Sequence, residues 1–322
     1  MKNHLPGKVS IVIAVGVPGH YIEECIGHCL ALDYPDFEII VLPDEPWNAP
    51  SPEIRVIPTG RVRPAEKRDR GVEESSGELI AIIDDDAYPE PDWLSNAVRH
   101  FNDPTVAAVG GPGMTPPGDN LRQHISGWIY ESPMVSSSYM YRYRPGHLQD
   151  VDDYPTSSLI LRKSDYQEAG GFDTGYWPGE DTILCLKLTH ELGKRIVYDP
   201  DVRVYHHRRE IFAAHLRQVR SYALHRGFFA KKFPQTSLKP GYFVPGVFTI
   251  FAIFGLTTVW LSKGIFTGWV AVMVVYAALA MLFSLRTLNP AGILGVFAGT
   301  FITHIVYGIW FIAGLITHEL RD

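Results

Sequence analysis

An α/β domain built on a mostly parallel sheet, followed by membrane-crossing helices, is the architecture this sequence predicts. Short β-branched apolar runs alternate with helical segments through the first two-thirds of the 322 residues. A triplet of aspartates, Asp84 to Asp86, closes one of those runs. From Tyr242 onward the chain turns into long apolar stretches, although what precedes them reads as a soluble domain. A net charge of −6 gives no bulk affinity for nucleic acid.

The elements follow in order. Residues 9–15 (VSIVIAV) form a buried strand, 16–19 a turn, and 21–32 a helix. That helix puts Cys25 and Cys29 one turn apart, where they serve as small core residues rather than as metal ligands. Strands are expected at 37–42 (FEIIVL), 53–57 and 79–83 (LIAII), with a helix over 66–76. A helix at 95–102, a strand at 106–109 and a Gly/Pro-rich loop at 110–119 come next. The aromatic stretch 121–153 has no readable period. Beyond it lie a strand at 158–162, helices at 164–169 and 181–192, and a strand at 195–198. Such alternation implies βαβ crossovers and a ligand site at the carboxyl ends of the strands.

Three apolar segments, 242–261, 265–285 and 291–317, each reach the ~20 residues that cross a bilayer core. Lys263 and Arg286 fall between them. The division expected is a catalytic domain over 1–209, basic juxtamembrane helices over 210–241 and about three spans over 242–322. Between Arg203 and Lys239, nine lysines and arginines face one acid, Glu210, which places this belt on the cytoplasmic side. The same belt would attract anionic headgroups or a lipid-linked phosphate. The polar lead from Met1 to Lys8 is no secretory signal, so the soluble part is expected in the cytoplasm, at the cell membrane.

Three adjacent carboxylates at a strand end repel one another and resist burial, and a bound divalent cation removes that cost. In an extended chain Asp84 and Asp86 share a side, as two hard oxygen donors suited to Mg²⁺ or Mn²⁺. A solvated acidic turn is the plainer alternative.

The segment 68–94, RDRGVEESSGELIAIIDDDAYPEPDWL, resembles the centre of family 2 glycosyltransferases of the GT-A fold. A second block agrees, with SLILRKSDYQEAGGFD, GEDTILCLKL and RIVYDPDVRVYHHR in order between residues 158 and 208. The resemblance implies a nucleotide-sugar-binding, Rossmann-like domain that inverts the anomeric centre by direct displacement. It puts the general base in the pair Glu180–Asp181, with Asp181 preferred; Asp at that point also suits a helix N-cap. It gives the metal chiefly to Asp86, with Asp84 supporting and touching sugar or ribose, and a later ligand from His206 or His207. Backbone at Ala14, Val15 and Gly16 faces the base. Asp44 reads it, because Pro43 stands where the family's first acid would be; a UDP-sugar is favoured. Lys67, Arg68 and Asp85 join the nucleotide-sugar set, unless the first two simply face solvent. The acceptor falls to residues 111–153 and to the loop with Trp177 and Gly179. Trp177 and tyrosines 139, 141 and 143 are candidates for stacking on sugars, or plain packing material.

The expected acceptor is a lipid-linked glycan or similar sugar chain. A polyprenyl-phosphate sugar synthase is the alternative. A processive synthase is disfavoured, because Gln218-Val219-Arg220-Ser221-Tyr222 does not fit the Gln-x-x-Arg-Trp such enzymes carry. Outside the glycosyltransferases stand a non-catalytic nucleotide-sugar-binding membrane protein and a nucleotidyltransferase. The latter lacks a Gly- and Arg-rich triphosphate loop near the first strand.

Overall fold

Val9, Ile11 and Ile13 on one face and Val12 on the other are fully buried, so the first strand is covered on both sides. In this computed structural model residues 7–172 and 174–320 are described, and the polar lead up to Pro6 lies outside them. The strands are β1 (Val9–Ala14), β2 (Phe37–Leu42), β3 (Ile54–Val56), β4 (Leu79–Ile83), β5 (Ala87–Pro89) and β6 (Val106–Gly110). There follow β7 (Gly113–Met114), β8 (Gln149–Val151), β9 (Ser158–Arg162), β10 (Arg195–Tyr198) and β11 (Val204–His206). The helices begin with α1 (His20–Leu30), α2 (Pro64–Glu74), α3 (Trp93–Val98), α4 (Leu121–Tyr130), α5 (Pro133–Ser136) and α6 (Lys163–Glu168). They continue with α7 (Glu180–Leu186), α8 (Ala213–Lys232), α9 (Pro234–Ser237), α10 (Pro240–Gly255), α11 (Lys263–Ser284) and α12 (Pro290–Ile316).

The main sheet has the order β3-β2-β1-β4-β9-β6-β10-β8. β1 to β4 are parallel, as are β6 and β10, but β9 runs antiparallel between β4 and β6. Its apolar run SLILR looks like the others, because hydrophobic patterning carries no direction. A second sheet, β5-β11-β7, is made of strands too short to show a period, and the sequence reading has no counterpart for it. Cys25 and Cys29 are fully buried in the core beneath α1, as packing residues.

The chain folds as two compact units: residues up to Pro116 with Tyr141–His207, and Pro117–Met140 with everything from Arg208. The insert 117–140 therefore groups with the C-terminal helices, where the sequence had suggested a continuous stretch to residue 209. In this second unit α4 opens with a capping box from Asn120 and Gln123. Three helical stretches, Pro240–Trp260, Lys263–Thr287 and Pro290–Ile316, are long and apolar enough to cross a membrane. His304, inside the last, bonds Tyr276 Oη at 2.7 Å and the Met134 carbonyl at 2.9 Å, so it is satisfied between helices.

His215 joins α4, α8 and α12: its Nδ1 lies 2.8 Å from Ser126 Oγ and its Nε2 3.0 Å from Thr303 Oγ1. Burial lowers its pKa to about 4. An unfolded histidine titrates near 6.5, so the unfolded chain binds the extra proton between those values. Stability from this group is complete above pH ~6.5 and falls as pH drops towards 4, by roughly 3 kcal/mol. Thermal unfolding in detergent should show that decline, and His215→Gln should flatten it relative to wild type.

Candidate active site

β4 ends at Ile83, and the chain turns at once: the Ala87 N–H donates to the Asp84 carbonyl at 3.1 Å. β5 then pairs with β11, setting His206 opposite Ala87, and the His207 N–H donates to the Asp86 carbonyl at 3.0 Å. The ligand atoms of Asp84, Asp86 and His206 consequently lie within 4.8 Å of one another, with His206 Nε2 3.1 Å from Asp86 Oδ1. Convergence comes from this turn and the small sheet, not from the side-to-side alternation of an extended chain expected from sequence. Two carboxylate oxygens and one imidazole nitrogen suit Mn²⁺ or Mg²⁺. His207 points away: its Nε2 lies 2.8 Å from Glu24 Oε2, and its ring stacks on Tyr21. Asp85 is half-buried within the same turn.

Arg68, on α2, is buried and bridges two carboxylates, Asp84 Oδ1 and Glu180 Oε1, each at 2.9 Å. Burial works against its charge, but Asp84, Glu180 and Asp181 outweigh it and raise its pKa above the ordinary arginine value. Its Nε is buried without a hydrogen-bond partner among the described residues. Gly179 takes φ 121°, a left-handed conformation that glycine tolerates, and its N–H donates to Glu180 Oε2 at 3.0 Å. Gly179 is thus the N-cap of α7, and Asp181 is not the cap but a first-turn residue, its Oδ1 accepting from Thr182 N at 2.7 Å. Asp153, buried, anchors that turn through Thr182 Oγ1 at 3.1 Å and Arg142 at 3.4 Å.

Replacing Arg68 with Met would strand the buried Glu180 carboxylate. We expect a loss of about 3–5 kcal/mol, read as a lower unfolding midpoint. Arg68→Lys should recover only part, because an ammonium cannot serve two carboxylates in a fork.

At the carboxyl ends of β1 and β2, Lys67 Nζ donates to the Val15 carbonyl at 2.6 Å and to Leu42 at 3.4 Å, and pairs with Asp44. Asp44 N–H donates to the Gly16 carbonyl at 3.0 Å. Ala14, Val15, Gly16, Asp44 and Lys67 therefore come together, and neither Lys67 nor Arg68 lies on an exposed helix face. Trp177 is exposed. Tyr141 packs its ring edge against Tyr198, while Tyr139 stacks on Tyr242 in the second unit. Asp69 and Asp153 escaped the sequence reading. Asp69 Oδ1 accepts from Phe172 N at 3.0 Å and from Tyr166 Oη, tying α2 to the loop that precedes α7. The one signal for it was its place beside Arg68.

Aspartates after a buried strand, a buried lysine at the ends of β1 and β2 and an acidic helix start joined to them through Arg68 gather at one end of the α/β domain's sheet. The fold matches that of a mannosyltransferase from Pyrobaculum calidifontis in complex with GDP-Man and Mn²⁺, at a TM-score of 0.62 and 20% identity, over 96% of this chain and 88% of that one. Residues 10–167, just under half of the chain, match the sequence model of Glycosyl transferase family 2. A glucosyl-dolichyl phosphate glucuronosyltransferase of Haloferax volcanii is 26% identical over 43% of this chain, which spans about half (46%) of that relative. A dolichyl N-acetyl-α-D-glucosaminyl phosphate 3-β-D-2,3-diacetamido-2,3-dideoxy-β-D-glucuronosyltransferase of Methanococcus voltae is 24% identical, over 70% of this chain and 74% of its own length.

Proposed function

We propose that this protein is an inverting glycosyltransferase that moves a sugar from a nucleotide-sugar, a UDP-sugar in our reading, to a lipid-linked acceptor at the cytoplasmic membrane face. The observation that carries it is the Asp84–Asp86–His206 group, tied through Arg68 to Glu180 and the first turn of α7. Asp86, Asp84 and His206 would hold Mn²⁺ or Mg²⁺, which supplies positive charge to the diphosphate that departs. Asp181 takes the proton from an acceptor hydroxyl as that oxygen bonds to the anomeric carbon. The sugar–phosphate bond breaks on the opposite face, and the nucleoside diphosphate leaves with the bonding electrons. Glu180, held by Arg68 and Gly179 N–H, fixes the helix start that carries the base. Asp44, Lys67 and the backbone from Ala14 to Gly16 form the base end of the donor site, with Asp85 beside the diphosphate end. Trp177 and Gly179 border the acceptor.

The relatives named for dolichyl-phosphate-linked sugars support a lipid-linked acceptor, and the basic belt supports the cytoplasmic face. They also favour an acceptor that already bears a sugar over a bare polyprenyl phosphate. The test supplies a panel of nucleotide-sugars with polyprenyl-phosphate and polyprenyl-phosphate-sugar acceptors, with and without Mn²⁺. Metal-dependent transfer with inversion is expected. Turnover that ignores both metal and acceptor would refute the proposal.

A further inference from the structure

α10 and α11 form an antiparallel hairpin: Phe248 stacks on Tyr276 at 4.3 Å, and Trp269 Nε1 donates to the Phe251 carbonyl at 3.1 Å. Its turn carries Trp260, Leu261 and Lys263, all exposed, the kind of residues that settle at a bilayer surface. If α12 were a third span returning through the bilayer, it would run alongside α10 in the same direction. Its last turns would then meet the hairpin tip.

The contacts run the other way. Thr249 donates to the His304 carbonyl at 3.2 Å, while a Cβ on Gly308 would lie 2.4 Å from the Pro245 carbonyl. Phe311 meets Phe243 with ring centroids 4.9 Å apart. Later residues of α12 thus meet earlier residues of α10, and its carboxyl end reaches the hairpin's open end near Pro240, not its tip.

Two helices, each apolar towards α12 and bearing cations on its outer side, follow α12 along its length. α4 covers its first half, since a Cβ on Gly295 would lie 2.6 Å from Ile125 and one on Gly299 2.4 Å from Ile129. α8 covers the second half in the same direction, from His215 at Thr303 through Gly227 at Phe311 to Lys231 at the Thr317 carbonyl. α4 exposes Arg122, and α8 exposes Arg217, Arg220, Lys231 and Lys232. Arg220 lies 3.8 Å from the ring centroid of Trp310 on α12. A bilayer core would have to accept these cations were α12 to cross it. The large apolar residues that α12 leaves exposed are Leu294, Phe301, Ile309 and Ile316, within a single narrow stripe of a 3.6-residue helix. α11, by contrast, exposes apolar residues around its circumference, among them Val270, Val272, Val274, Val275 and Leu282.

We propose that α12 lies in the plane of the membrane, its Leu294–Phe301–Ile309–Ile316 stripe seated on the acyl chains of one leaflet, and that only the α10–α11 hairpin crosses. α4 and α8 then turn their cations to phosphate headgroups of that leaflet. Length and apolarity alone do not separate such a helix from a span. Its covered faces do.

Spin labels on Leu294→Cys, Phe301→Cys, Ile309→Cys and Ile316→Cys, in full-length protein in nanodiscs of mixed neutral and anionic lipid, test this. The native cysteines are buried, so the introduced ones take the label. Oxygen against nickel-chelate accessibility should put all four labels at one interfacial depth. A series on α11 (Val270→Cys, Val275→Cys and Leu282→Cys) should pass through the bilayer centre. A crossing α12 would separate Leu294 from Ile316 by about 33 Å along the normal, with Phe301 and Ile309 deep, and that profile would overturn the proposal. In oriented vesicles, His318→Cys should react with an impermeant maleimide from the same side as Gln235→Cys and opposite Leu261→Cys. Reaction of His318→Cys together with Leu261→Cys would equally overturn it.

Discussion

Asp181→Asn should abolish most transfer while leaving donor binding in place. An amide in the first turn of α7 can still accept from Thr182 N, so the helix start survives, but it cannot take a proton from the acceptor. Loss of a positioned general base costs about 10²–10⁴-fold in turnover. The change should fall on kcat, with the metal-dependent Kd for nucleoside diphosphate within a few-fold of wild type. An equal loss in binding would recast Asp181 as a donor ligand, and unchanged kcat would remove it from the chemistry. Glu180→Gln should behave differently. It releases Arg68, so its first effect should be a lower unfolding midpoint, because Glu180 is the buried partner of that guanidinium.

The second large effect is expected at Asp86. This side chain is buried and faces His206 Nε2, with Asp84 completing the group. Removing a direct ligand should weaken Mn²⁺ affinity by more than the roughly 10–100-fold that loss of an outer-shell partner costs. Asp86→Asn should therefore show turnover that millimolar Mn²⁺ restores poorly, with the fold intact by circular dichroism. His206→Ala should be milder, and excess metal should recover more of its activity, because two carboxylates remain. If His206→Ala proved harsher than Asp86→Asn, the imidazole would be serving something other than a cation.

Much of this was legible in the residues, for reasons that differ from element to element. β1, β2, β4, β9 and β10 stand out because each is a buried apolar run whose neighbours break the pattern. Their direction is not encoded in that pattern, and β9 runs against β4 and β6. β5, β7 and β11 are too short to show a period, yet they bring His206 to Asp86. The candidate ligands could thus be named from sequence, but the turn and small sheet that join them could not. Lys67 and Arg68 show a similar gap. Charged residues on a helix are normally solvated, and only the folded chain shows one under the ends of β1 and β2 and the other between two carboxylates. The stretch 121–153 has no readable period because it is divided between the two units, and the apolar residues of its first part, Ile125, Trp128, Ile129 and Val135, pack with Ile211 and Val296 and not on the sheet. Apolar length found three helices fit for a bilayer, but the direction in which α12 meets α10 depends on contacts that no single segment contains.

Calorimetric titration of the purified protein with UDP and with GDP, each with and without Mn²⁺, addresses the cation most directly. Tight binding of at least one nucleotide that disappears without metal and in Asp86→Asn is the expected result. Equal affinity in all three conditions, or none in any, would contradict the idea that Asp84, Asp86 and His206 secure a diphosphate through an ion.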